Sequence, residues 1–157
     1  DKYRLKDTIV SSNTSTIPLD ELIGKAKPPF KKKFMITHFF NPPRYMRLLE
    51  LVTKDDTDAE AIARIRHFCD YRLGKTVVDC NDTPGFIANR IGTYWLHCAV
   101  TEAIRQNIDV ETADAVLSKP LGFPRTGVFG LMDMVVNIAG GNALCGTRRH
   151  KWGRVLL

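Results

Sequence analysis

The chain holds 157 residues, with 23 Lys and Arg against 17 Asp and Glu, a net charge of +6 and 44% hydrophobic residues, figures that suit one soluble globular domain or parts of two. They exclude an intrinsically disordered chain, because apolar segments recur throughout; no fixed period marks a collagen-like or coiled-coil repeat, and no apolar run approaches the roughly 18 residues that span a bilayer. Four of the six net positive charges lie within residues 138–157, at Arg148, Arg149, Lys151 and Arg154, so the remainder carries only +2 and gives no reason to expect a nucleic-acid partner.

Asp1 to Lys6 offers neither an initiator Met nor the apolar core of a signal peptide, and reads as a chain cut out of something longer. Residues 8–11 have the β-branched content of a short buried strand and run into Ser12-Asn13-Thr14-Ser15, small polar residues that suit a turn at a strand's end. Pro18 to Ile23 predicts a short helix, stopped by Gly24 and the Pro28-Pro29 pair. Phe34 to Phe40 is a second strand, closed by Asn41-Pro42-Pro43, and Leu48 to Val52 a third. From Thr57 to Leu73, Ile62, Ile65, Cys69 and Leu73 recur at helical spacing, with Gly74 as the stop, and Thr76 to Cys80 is a fourth strand.

The texture changes after Asp82-Thr83-Pro84-Gly85. Thr83 suits an N-cap and Pro84 a first helical residue; Ile87, Ile91, Tyr94, Trp95 and Cys98 then mark one face of a helix reaching about Gln106. Helices from Asp109 to Ser118 and from Gly127 to Val136 follow, separated by Pro120-Leu121-Gly122-Phe123-Pro124. Strands mixed with helices, then helices alone, predict the end of an α/β domain joined to an all-α one, with a boundary near residue 82. Residues 137–157 have no helical or strand period and read as a flexible tail or as a foreign or out-of-frame end.

Several motifs fail on inspection. Gly74-Lys75-Thr76 ends like a P-loop, but the glycine that loop needs earlier is Cys69. Cys69, Cys80, Cys98 and Cys145 have no zinc-type spacing and are expected to be reduced thiols of a cytoplasmic protein; His67 and His97 bring no second set of metal ligands. No GxG occurs anywhere, so the dinucleotide-binding fingerprint is absent from the sequence. What remains is His38 at the end of one strand and Glu50 in the next. A carboxylate at one ring nitrogen fixes a histidine's tautomer and supports its protonated form, as a general base requires, although this spacing alone favours a satisfied histidine and a surface glutamate. Ser15 and Asn89 add a hydroxyl and an amide that could instead cap local backbone.

Four blocks then resemble successive signatures of the L-3-hydroxyacyl-CoA dehydrogenases: Ser12-Asn13-Thr14-Ser15; Thr37-His38-Phe39-Phe40-Asn41-Pro42 followed by Leu49-Glu50-Leu51-Val52; Asp82-Thr83-Pro84-Gly85-Phe86-Ile87-Ala88-Asn89-Arg90; and Gly122-Phe123-Pro124-Arg125-Thr126-Gly127-Val128-Phe129-Gly130-Leu131-Met132-Asp133. The resemblance covers about residues 5–136 and is similar in detail to long bacterial members, some of them fused to an enoyl-CoA hydratase. It implies the C-terminal part of a Rossmann-like NAD-binding domain over residues 1–82, the start of a helical substrate and dimerisation domain over 83–136, and an atypical tail over 137–157. It further implies NAD as cofactor, an acyl-CoA substrate, a homodimer for the full-length protein, and oxidation of an L-3-hydroxyacyl-CoA to the 3-ketoacyl-CoA in fatty-acid β-oxidation. On that basis His38 is the general base and Glu50 its orienting carboxylate. Ser15 and Asn89 bind the substrate oxygen, and Asn13, Ser15 and Asn41 lie near the nicotinamide.

The family's opening strand, GxGxxG turn and acidic ribose ligand are missing, so the chain is expected to begin within the second half of the nucleotide-binding domain and to be inactive alone. The strand left without its partner is expected to expose a sheet edge. Two other readings are a related dehydrogenase of small hydroxy acids such as L-gulonate, and a non-catalytic dimerisation or binding module.

Overall fold

A computed structural model of the chain describes residues 5, 7–123 and 125–138. They fall into two compact units, one ending at Arg90 and the other beginning at Ile91.

The first unit is built on a four-stranded mixed sheet in the order β1 (Val10–Ser12), β2 (Phe34–Phe39), β3 (Leu48–Val52), β4 (Thr76–Cys80). β1 runs parallel to β2, β2 antiparallel to β3, and β3 parallel to β4. The connections follow from those directions, since parallel neighbours need a crossover whereas antiparallel ones can be joined by a short loop. The crossover from β1 to β2 carries α1 (Leu19–Ile23) and α2 (Pro28–Lys31), and the crossover from β3 to β4 carries α3 (Ala59–His67). The Pro28-Pro29 pair, expected only to stop a helix, instead starts one, because proline is preorganised for the first helical positions, where its missing N–H costs nothing.

Strand parity divides the core. Alternate residues of a strand face opposite sides of the sheet. Phe34 and Ile36 of β2 and Val52 of β3 pack with Leu19, Ile23, Cys80 and Phe86 on one side. Met35, Leu49 and Leu51 pack with Ala61 and Cys69 on the other. Burial on both sides explains why β2 and β3 carry apolar residues at both parities, interrupted only by Thr37, His38 and Glu50, rather than alternating.

Asp58 caps α3 by accepting from the Glu60 and Ala61 amides, and Ile62 and Ile65 turn toward the sheet as their spacing predicts. Leu73 does not: it is exposed, because the chain passes from α3 into a π-helical turn at Phe68–Arg72. That turn closes on a five-residue hydrogen bond from the Leu73 amide to the Phe68 carbonyl, and the extra residue rotates everything after it off the helix face. Gly74, with φ of 63°, then ends the segment as expected.

The second unit contains the greater part of α4 (Ala88–Arg105), with α5 (Val110–Val116) and α6 (Gly127–Ile138). Ala103, Ala113, Val128 and Phe129 form its buried centre, with Trp95, Leu96, Ala99 and Val100 packed against it. Of the α4 face expected from Ile87, Ile91, Tyr94, Trp95 and Cys98, only Trp95 joins that core, while Ile87, Ile91 and Tyr94 are exposed. The side that packs is one position on, along Leu96, Ala99, Val100 and Ala103. Helix α6 runs two residues past the expected Val136, and the rest of the predicted tail lies outside the described residues.

Candidate active site

The two residues singled out by their chemistry are brought together by sheet register. In the antiparallel β2–β3 pair, His38 stands directly opposite Glu50. Directly opposed residues point to the same side of a sheet, so the twelve-residue separation becomes a side-chain contact. His38 Nδ1 donates to Glu50 Oε2 at 2.7 Å, with the histidine 6% and the glutamate 1% exposed. A carboxylate can only accept, so Nδ1 is the donor of this bond, and in a neutral ring Nε2 is then the acceptor nitrogen. Parity puts both side chains on the Ile36 and Val52 side of the sheet, the side that Phe86 covers.

The other oxygen of Glu50 is also occupied. Oε1 accepts from the Ile87 amide at 3.0 Å and from the Ala88 amide at 2.7 Å. Those amides open α4, which starts four residues later than Pro84 would suggest. The delay comes from the intervening turn, in which Gly85 (φ 77°) and Phe86 (φ 46°) are both left-handed and no helix can propagate through them. Thr83 therefore does not cap α4; its carbonyl instead accepts from the Phe86 amide and closes the turn. The Phe86 ring, 1% exposed, lies 5.7 Å from the His38 ring between centroids, and Phe40 approaches the same ring at 4.6 Å.

The remaining candidates divide. Half-buried Asn89, in the first turn of α4, donates from Nδ2 to the Ser15 carbonyl at 3.3 Å, which brings Ser15 and Asn89 side by side. Asn13 accepts through Oδ1 from the Phe39 amide at 2.9 Å, and so ties the turn after β1 to the residue following His38. Thr37 Oγ1 donates to Ser11 Oγ at 2.9 Å alongside. Asn41 lies two residues past β2 on an exposed turn, and no described hydrogen bond joins its side chain to the dyad.

The turn from Asn41 to Arg47 is held by a residue that the sequence offered only as the lysine of a failed P-loop match. Lys75, 7% exposed, donates from Nζ to the carbonyls of Pro43 and Met46, the latter at 2.7 Å, and sits 5.9 Å from the centre of the Phe39 ring. Only its burial reveals this; as a letter it is one lysine among many. The Ile87 and Ala88 amides were equally invisible, because a backbone donor has no residue signature. The Gly85-Phe86 turn could have been suspected from its glycine. Asp82 also acts at a distance, accepting from the Leu19 amide at 2.7 Å and so capping α1 from 63 residues away.

Burial, and next the charge of Glu50, push the Cys80 thiol up from 9.0 to about 11, and burial likewise raises that of Cys69. Among the described residues no group of three His, Cys, Asp or Glu is placed to hold a metal ion, and no helix is long and apolar enough to cross a membrane.

These elements define an α/β unit followed by a helical one. Residues 1–83 match the family model "3-hydroxyacyl-CoA dehydrogenase, NAD binding domain", and residues 85–151 match "3-hydroxyacyl-CoA dehydrogenase, C-terminal domain". The chain belongs to the 3-hydroxyacyl-CoA dehydrogenase family. It is 48% identical over 133 residues to a Rickettsia prowazekii protein named "Putative fatty acid oxidation complex trifunctional enzyme", an alignment covering 85% of this chain and 18% of that protein. It is 41% identical over 135 residues to the "Probable 3-hydroxyacyl-CoA dehydrogenase" of Bacillus subtilis, covering 86% of this chain and 17% of the relative. Among solved structures, FadB2 of M. tuberculosis aligns with a TM-score of 0.73 and 34% identity, covering 84% of this chain and 45% of FadB2. The chain thus spans less than a fifth of the two curated relatives and under half of FadB2.

Proposed function

We propose that this chain carries the proton-transfer half of an NAD-dependent oxidation of L-3-hydroxyacyl-CoA to 3-ketoacyl-CoA, a step of fatty-acid oxidation. The observation that carries the reading is the buried 2.7 Å bond from His38 Nδ1 to Glu50, which leaves Nε2 as the base. His38 takes the proton from the substrate's 3-hydroxyl, and Glu50 stabilises the imidazolium that forms. Asn89 and Ser15, drawn together beside the turn after β1, hold the substrate oxygen.

NAD, when bound, would supply the acceptor for the hydride that leaves C3. Asn13 and Ser15 follow the C-terminal end of β1, next to the C-terminal end of its parallel neighbour β2, and ligands of open α/β sheets bind outside the carboxyl ends of strands. Those polar groups fit the nicotinamide end of the cofactor, and Asn41 completes the set. The sequence contains no glycine fingerprint to receive the pyrophosphate.

The test is acetoacetyl-CoA-dependent oxidation of NADH by the complete gene product and by its His38→Ala variant. Turnover is expected to fall about 10²- to 10⁴-fold, with NADH affinity little changed. A variant with near-normal turnover refutes the role of His38. No turnover by the unsubstituted protein refutes the activity and favours a binding module.

A further inference from the structure

The His38–Glu50 contact explains how the histidine is oriented, but not what orients the glutamate. A carboxylate at the end of a flexible side chain can rotate about its last bond and present either oxygen. In this chain that freedom is removed. Glu50 is 1% exposed, and Oε1 is taken by two convergent backbone amides, Ile87 at 3.0 Å and Ala88 at 2.7 Å, which leaves Oε2 aimed at His38. The amides are aimed in turn by backbone conformation. Phe86, a bulky residue at φ 46°, follows Gly85 at φ 77°, and a left-handed aromatic residue is an outlier that its surroundings must enforce. Burial of the Phe86 ring against His38 and in the core with Leu19, Ile36 and Cys80 supplies that enforcement.

We propose that the Gly85–Ala88 turn is a positioning element for the dyad: the Ile87 and Ala88 amides hold one oxygen of Glu50, and thereby fix the place and plane in which the other oxygen meets His38 Nδ1. The assignment rests on the proposed role of His38 as base, but it makes a claim about the imidazole that holds whether or not the protein turns over. Two amide donors accept no substitute for an oxygen. In a Glu50→Gln variant they therefore claim the carboxamide oxygen, and the carboxamide NH2 is turned toward His38 Nδ1. A neutral ring facing a donor must accept at Nδ1 and carry its proton on Nε2, the reverse of the starting tautomer.

The chain has only four histidines, so ring-nitrogen NMR of histidine-labelled protein, with His38 assigned by its disappearance in His38→Ala, reads the tautomer directly. The expected result, at a pH where the ring is neutral, is protonation at Nδ1 in the unsubstituted protein and at Nε2 in Glu50→Gln. Retention of the Nδ1-protonated form in Glu50→Gln overturns the proposal, because the carboxamide would then have chosen its orientation to suit His38 rather than the amides. Ala88→Pro is the second variant. It deletes one donor at the first residue of α4, a position where a helix tolerates proline. It is expected to lower kcat about 10-fold, less than the full contribution of about 10²- to 10⁴-fold from the general base it helps to orient, while changing KM for acetoacetyl-CoA less than about 3-fold. Combined with Glu50→Gln, it is expected to populate both His38 tautomers, because one amide holds the carboxamide oxygen less firmly than two. A tautomer ratio in the folded Ala88→Pro, Glu50→Gln double variant equal to that in Glu50→Gln also overturns the proposal. Absence of turnover in the unsubstituted protein leaves the NMR outcomes unaffected, so a failure of the activity and a failure of the positioning role are told apart.

Discussion

Cys80 ends β4 opposite Val52, on the side of the sheet that carries the dyad, and is 8% exposed. Desolvation opposes formation of its thiolate, and the nearby Glu50 charge opposes it further, so the thiol is pushed up to about 11. Between pH 9 and 11 the unfolded chain has lost this proton while the folded one keeps it, so stability falls as pH rises through that window. Denaturant unfolding should therefore show a smaller loss between pH 9 and pH 11 in Cys80→Ala than in the unsubstituted chain; an identical loss in both would show that Cys80 contributes nothing to it. The same burial makes Cys80 a poor nucleophile, since only the thiolate reacts. His38 and Glu50 were legible at this scale because their chemistry is written in their side chains. Lys75 was not, because a lysine is informative only once its ammonium is seen buried against two carbonyls.

At the scale of elements, α5 and α6 are joined by one side chain and one glycine. Asp114 of α5 accepts from the Phe129 amide at 2.7 Å and from the Gly130 amide at 3.1 Å, and so caps the start of α6 from a neighbouring helix. The approach this needs is so close that a Cβ on Gly127 would stand 2.6 Å from the Cα of Asp114, and Gly127 is left-handed at φ 65°. Gly127→Ala meets both penalties, and we expect a loss of about 1–3 kcal/mol, measurable as a lower midpoint in denaturant. A neutral result would show that the two helices can separate without cost. Apolar spacing found α3, α4, α5 and α6 and the strands within a few residues. It misplaced the start of α4, where two left-handed residues delay the helix, and the end of the α3 face, where a π-helical turn adds a residue. Both are backbone irregularities to which a 3.6-residue period is blind.

For the molecule as a whole, the sheet has β1 and β4 at its edges among the described residues, and β1 is only three residues long. The polar residues proposed for the nicotinamide follow that short strand, while the sequence has no glycine fingerprint for the pyrophosphate. Titration calorimetry of the isolated chain with NADH is accordingly expected to show no binding tighter than about millimolar; micromolar binding would place the pyrophosphate on residues not named here. Taken alone, the sequence determined the order of strands and helices and the change from mixed to purely helical texture, and it offered His38, Glu50, Ser15 and Asn89 as candidates. It could do so because periodicity and residue chemistry are local. The tertiary structure decided the register that sets His38 against Glu50, the amides that claim the other carboxylate oxygen, the carbonyls that hold Lys75, and the exposure of Ile91 and Tyr94. Each of these depends on contacts between residues far apart in the chain, and a pattern within one element states which face is apolar without stating what will cover it.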